Sequence, residues 1–121
     1  MTAQPKRQAE RFDDRICGVC ARAAAGIGHA PRSHQPVIWL CDDPDCIHIA
    51  RNSYHMKQEE FSRLEAIAAH EARFDVGDYL AKIGKTDLTT MTLEEAMKMC
   101  QITVAAYRKN LKKLVDSEAP F

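Results

Sequence analysis

An export signal, an apolar run long enough to cross a bilayer, and an excess of charge of either sign are all missing from this sequence. Met1-Thr2-Ala3-Gln4-Pro5-Lys6-Arg7-Gln8 at the start carries no apolar run behind its charges, which argues against secretion or membrane insertion. The 17 basic and 17 acidic side chains cancel, so wholesale electrostatic attraction to nucleic acid is not indicated and any such contact must come from a local patch. The five cysteines are an odd number. Disulfides in a secreted domain call for an export signal and preferably an even count, so reduced thiols in the cytoplasm are the expectation. With 121 residues the chain is too short for two independent cores.

What is present is a pair of cysteine pairs. Cys17-Gly18-Val19-Cys20 is followed some twenty residues on by Cys41-Asp42-Asp43-Pro44-Asp45-Cys46. Pairs separated by a few residues let one turn offer two ligands without strain, and four thiolates in a tetrahedron make a structural zinc site. Cys17, Cys20, Cys41 and Cys46 are therefore the expected ligands of one structural Zn²⁺. His48 is the alternative to Cys46, although it lies two residues further round the helix.

Between the pairs, Gly26-Ile27-Gly28-His29-Ala30-Pro31 and Pro36-Val37-Ile38-Trp39-Leu40 read as two short strands joined by a turn. Asp43 can cap a helix with Pro44 in its first position, which places Cys46 in the first turn, where the helix dipole favours a thiolate. Ile47, Ala50, Tyr54, Phe61, Leu64 and Ala68 then recur at helical spacing, predicting a helix to about residue 72. A second short helix is expected over Phe74 to Ile83, stopped by Gly84. Thr92-Leu93-Glu94-Glu95 is a capping box opening a last helix to about Val115, with Met97, Cys100, Val104, Tyr107, Leu111 and Leu114 on one buried face.

This order of knuckle, hairpin and ligand-bearing helix predicts an α+β, mainly α chain: a treble-clef zinc finger extended by two or three C-terminal helices. The expected divisions are a flexible or short helical segment 1–15, a zinc module with its long helix over 16–72, a helical extension 73–115, and an acidic Pro-Phe tail 116–121. Cys17-Gly18-Val19-Cys20, the stretch Pro36 to Cys46, and Tyr79-Leu80-Ala81-Lys82-Ile83-Gly84-Lys85-Thr86-Asp87-Leu88 together resemble a family of small zinc-binding proteins encoded in phages and prophages of alphaproteobacteria. The resemblance implies a phage protein in the host bacterial cytoplasm, near DNA metabolism or host takeover, and transfers no catalytic residue.

Other constellations compete with plainer explanations. His48, Asn52 and His55 share a helical face, and with His29 or His34 they suit a metal-dependent nuclease of the ββα-metal type, but no carboxylate adjoins the hairpin histidines. A solvated polar face explains the same residues and is the expectation, with the nuclease as the alternative. Gly84-Lys85-Thr86 imitates the end of a phosphate-binding loop, yet Tyr79 stands where that loop needs glycine. Cys100, on an apolar stripe, reads as an ordinary buried cysteine. Arg108, Lys109, Lys112 and Lys113 form a basic run that is either a solvated face or a nucleic-acid contact.

Asp116, Glu118, Pro120 and Phe121 end the chain in a stretch that resembles the tail of bacterial single-stranded DNA-binding protein, whose terminal ring and carboxylate dock into a basic-rimmed pocket. The expectation is a non-enzymatic zinc adaptor working through host or phage protein partners. A nuclease, or an inhibitor of a bacterial defence complex, is the alternative.

Overall fold

In the computed structural model, which describes residues 11–118, three helices pack around a two-stranded antiparallel sheet. Strands β1 (Ile27–His29) and β2 (Ile38–Leu40) pair with Ile27 opposite Leu40, Gly28 opposite Trp39 and His29 opposite Ile38. Ile38 and Leu40 face inward and are fully buried, while Trp39 between them is half-buried, as the two-residue period of a strand requires. Helices α1 (Pro44–Ser53), α2 (Gln58–Ile83) and α3 (Leu93–Glu118) follow, with a 3₁₀ turn at Leu88–Thr90. The chain is thus mainly helical with a small sheet. None of its described helices is long and apolar enough to cross a membrane.

The helix boundaries differ from the expectation. Instead of one helix to residue 72, α1 stops at Ser53 and α2 starts at Gln58. Tertiary anchors explain the break, because Ser53 receives a hydrogen bond from Arg11 Nη2 at 3.1 Å and Tyr54 donates to the Pro36 carbonyl at 2.6 Å. No second break occurs near residue 73. With no proline in the way, α2 runs on until Gly84, whose φ of 69° and backbone contacts to Ala81 and Leu80 end the helix as expected. The capping box is also present: Glu95 N–H donates to Thr92 Oγ1 at 3.1 Å, and Thr92 N–H donates to Glu95 Oε1 at 2.9 Å.

One core joins the cysteine turn, β2 and the three helices. Cys17, Val19, Ile38, Leu40, Ile49, Phe61 and Leu64 pack with Leu111 and Val115, so α3 returns to seal the cysteine module. Of the helical stretch beyond residue 73, the second half of α3 thus belongs to the same core, while residues 73–105 extend past it. The N-terminal boundary shifts too. Arg11 is buried with its guanidinium 4.2 Å from the centre of the Phe61 ring, and Phe12 packs on the same core. Gly18 is the close approach that permits this, since a Cβ there would lie 2.7 Å from the Arg11 carbonyl oxygen and 2.8 Å from Ile38.

The apolar face expected on α3 is buried only in its second half. Leu111 is fully enclosed, but Met97 is 53 % exposed and Cys100 is exposed rather than buried. Buried positions on α3 begin only at Ala106, and before it Arg22 of the cysteine turn borders a cavity with Cys100, Gln101 and Val104.

Candidate metal centre

Cys17 and Cys20 occupy a tight turn closed by the bridge between Ile16 and Ala23. Cys17 N–H donates to the Arg22 carbonyl at 2.7 Å and Ala21 N–H to the Cys17 carbonyl at 3.0 Å. Closing the turn forces Ala21 to a φ of 66°, a left-handed conformation usually left to glycine. Gly18 N–H reaches the Trp39 carbonyl at 2.8 Å, which docks the turn against β2. Cys41 directly follows that strand. Asp43 then caps α1, its side chain accepting from Asp45 N–H at 2.8 Å, and delivers Cys46 at the helix start.

The four sulfurs converge. All four Sγ atoms lie within 4.8 Å of one another, and Cys20 and Cys41 are 3.8 Å apart. Cys17, Cys41 and Cys46 are buried and Cys20 is half-buried. Such a cluster cannot ionise fully unaided. Hydrogen bonding to Cys20 pushes the Cys17 thiol up, and hydrogen bonding to Cys17 and Cys20 pushes Cys46 up, whereas Cys20 is pulled down by Cys17 and Cys46. A bound cation removes this conflict, so the donor set suits a metal ion.

Two guanidiniums flank the sulfurs. Arg108 is buried, donates from Nε to Cys46 Sγ at 3.3 Å, and pairs through Nη1 with Asp43 at 3.1 Å. Burial opposes its charge, but Cys20, Cys46 and Asp43 outweigh that penalty and hold it cationic. Arg22 lies on the open side, raised above the ordinary arginine value by Cys41 and Cys20. Arg108 thus lies neither on a solvated face nor in a free basic run open to nucleic acid, as its neighbours Lys109, Lys112 and Lys113 in the sequence suggest, and nothing local in the sequence marks Arg22. A signal existed for Arg108: it stands in register with Val104, Leu111 and Val115, on the buried stripe.

The remaining candidates are held elsewhere. Lys112 pairs with Asp45 at 3.0 Å and Lys109 lies 3.8 Å from Asp75, while Lys113 is exposed. His48 is turned away from the sulfurs, its Nε2 2.7 Å from Asp116 Oδ1 and 2.9 Å from Asn52 Nδ2. His29 packs edge-on to Tyr54, with ring centres 5.7 Å apart, and burial, Arg51 and His55 lower its pKa. His34 is exposed in the strand turn, at a φ of 75°. Lys85 is bound to Glu95 and to the Thr90 carbonyl, so it braces the turn before α3.

Of the tail residues, Asp116 meets His48 and Glu118 pairs with Arg63. Pro120 and Phe121 lie outside the described residues. Comparisons with curated proteins and with solved structures return no match. Over residues 59–121, a stretch that leaves out all four clustered cysteines, the chain matches the model of a family of unknown function (DUF6511), and it belongs to that family.

Proposed function

We propose that the cluster is a structural zinc site of the treble-clef type and that the protein is a non-enzymatic adaptor. The observation that carries this reading is the closed set of four thiols. Tetrahedral zinc with Zn–S bonds of about 2.3 Å sets sulfurs about 3.8 Å apart, and Cys20 and Cys41 have that separation. Catalytic zinc keeps a position open for water, whereas four cysteine ligands fill the tetrahedron. A zinc ion with four thiolates carries two negative charges, and Arg22 and Arg108 supply two positive ones against the same sulfurs.

Of the polar residues that would serve a nuclease, His48 is hydrogen-bonded to Asp116 and Asn52 and His29 packs on Tyr54, while His34 is exposed in the strand turn. A closed thiolate site with no open position for substrate or water supports action through protein contacts. The phage setting implied by the resemblance, and docking of the Pro120-Phe121 tail on proteins that recognise single-stranded DNA-binding protein, belong to the same proposal.

Elemental analysis of the purified protein is expected to give one zinc per chain, with X-ray absorption showing sulfur ligands alone. Incubation with plasmid and single-stranded DNA in Mg²⁺ or Mn²⁺ is expected to leave both intact. A metal-free folded protein would overturn the zinc reading, and cleavage abolished by His29→Ala would overturn the adaptor. Affinity capture from bacterial lysate with and without residues 119–121 tests the tail.

A further inference from the structure

The four sulfurs are not equally covered. Cys17 is 1 % exposed, Cys41 3 % and Cys46 0 %, whereas Cys20 is half-buried. Cys20 and Ala21 line one side of an open cavity of about 410 Å³, and Glu65, Ala66 and Ala69 of α2 line another. A hollow of that size holds water or a small solute, so Cys20 is the sulfur that a dissolved reagent meets first. Beside it, Cys41 Sγ lies 3.8 Å from Cys20 Sγ. Cys41 belongs to the link between β2 and α1, outside either element. Cys17 is held by the backbone bonds that close its turn, and Cys46 by the start of α1 and by Arg108. The exposed Arg22 approaches the same two sulfurs, Cys41 and Cys20.

We propose that Cys20 and Cys41 form a thiol–disulfide switch on the cysteine cluster: a hydroperoxide enters the hollow and oxidises Cys20, and the Cys20–Cys41 disulfide that follows removes two of the four metal ligands. The inference rests on the structural-zinc reading above. Coordination keeps a sulfur in its thiolate form, and the thiolate is the form that attacks peroxide. Cys20 Sγ attacks one peroxide oxygen; an S–O bond forms, the O–O bond breaks and hydroxide leaves. Cys41 Sγ then attacks Cys20 Sγ; the S–S bond forms, the S–O bond breaks and a second hydroxide leaves. The two sulfurs together lose two electrons, the peroxide gains two, and both hydroxides take up protons to become water. A disulfide needs its sulfurs about 2.05 Å apart, and Cys41, in a link rather than a helix or strand, is the partner whose backbone can close the gap. With only Cys17 and Cys46 left, the tetrahedron is lost and the cation is released.

The test treats the metal-loaded full chain with hydrogen peroxide and follows zinc release with a chromogenic chelator. Cys100→Ser serves as the parent, because Cys100 is exposed and would otherwise consume peroxide. Loss of the zinc is expected, with peptide mapping after alkylation finding Cys20 joined to Cys41, and dithiothreitol with added zinc restoring the loaded protein. Cys20→Ser also removes a ligand, so a second variant probes access alone. Ala66 is exposed on α2 at the rim of the hollow, and Ala66→Phe is expected to slow release several-fold while zinc affinity stays that of the parent. Zinc retained in peroxide, a disulfide between any other pair, or release from Ala66→Phe at the parent rate overturns the proposal. Zinc content is measured before peroxide is added. A chain without zinc at that point overturns the zinc reading and this proposal with it, whereas zinc that is present and retained overturns this one alone.

Discussion

Arg108 concentrates at one residue the electrostatic requirement of the cysteine cluster. A guanidinium is planar and always charged, and it contacts Cys46 with Nε while holding Asp43 with Nη1. Asp43 is also the cap of α1. One side chain thus links sulfur charge, helix start and the buried face of α3. Arg108→Met keeps the aliphatic stem and removes the charge. It is expected to lower metal affinity by roughly 10- to 100-fold, the usual cost of losing an outer partner of a metal ligand, measured by competition with a chromogenic chelator. Ala21 makes the opposite case. Its left-handed φ of 66° strains an L side chain, so Ala21→Gly is expected to stabilise the protein by up to about 1 kcal/mol, read as a higher urea midpoint. The four cysteines were legible from spacing alone, because two ligands per turn is a local property. Arg22 was not, since its role depends on where the turn docks.

Elements show which signals act locally. Gly84 and the Thr92-Glu95 box ended and began helices as the sequence foretold, because both work through hydrogen bonds within a few residues. The break between α1 and α2 was hidden. Nothing between Ser53 and Lys57 is a helix breaker, and the bonds that hold the break run to Arg11 and Pro36, distant in sequence. Thr92→Ala is expected to cost about 1 kcal/mol, a typical value for a lost cap, and to speed amide hydrogen exchange in the first turn of α3. Glu95 adds a pH dependence. Lys85 first, then Thr92, lowers its carboxyl pKa, so its contribution is complete above the ordinary value and fades as pH falls through the lowered folded one. The extra exchange in Glu95→Gln relative to wild type is therefore expected at neutral pH and is expected to vanish in strong acid.

At the scale of the whole molecule, the cysteine cluster and the long helices share one core. Cys17, Cys41 and Cys46 are buried among the same side chains as Phe61, Leu111 and Val115, residues separated by up to about a hundred positions. Sequence periodicity marked the apolar stripe of α3 but could not tell which half would find a cover, since that depends on the size of the module packed against it. The shared core makes a definite prediction for metal removal. Binding of structural zinc supplies about 10–16 kcal/mol in small fingers, against about 5–15 kcal/mol for the net stability of a whole domain. Removal should therefore release more than the first half. Chelation of the metal, or Cys17→Ser, is expected to expose the amides of α1 and those around Leu111 and Val115 to hydrogen exchange in one cooperative step, with a matching loss of helical circular dichroism. If the second half of α3 keeps its protection while residues 16–53 exchange freely, the metal holds only its own module and the core is not a single cooperative unit.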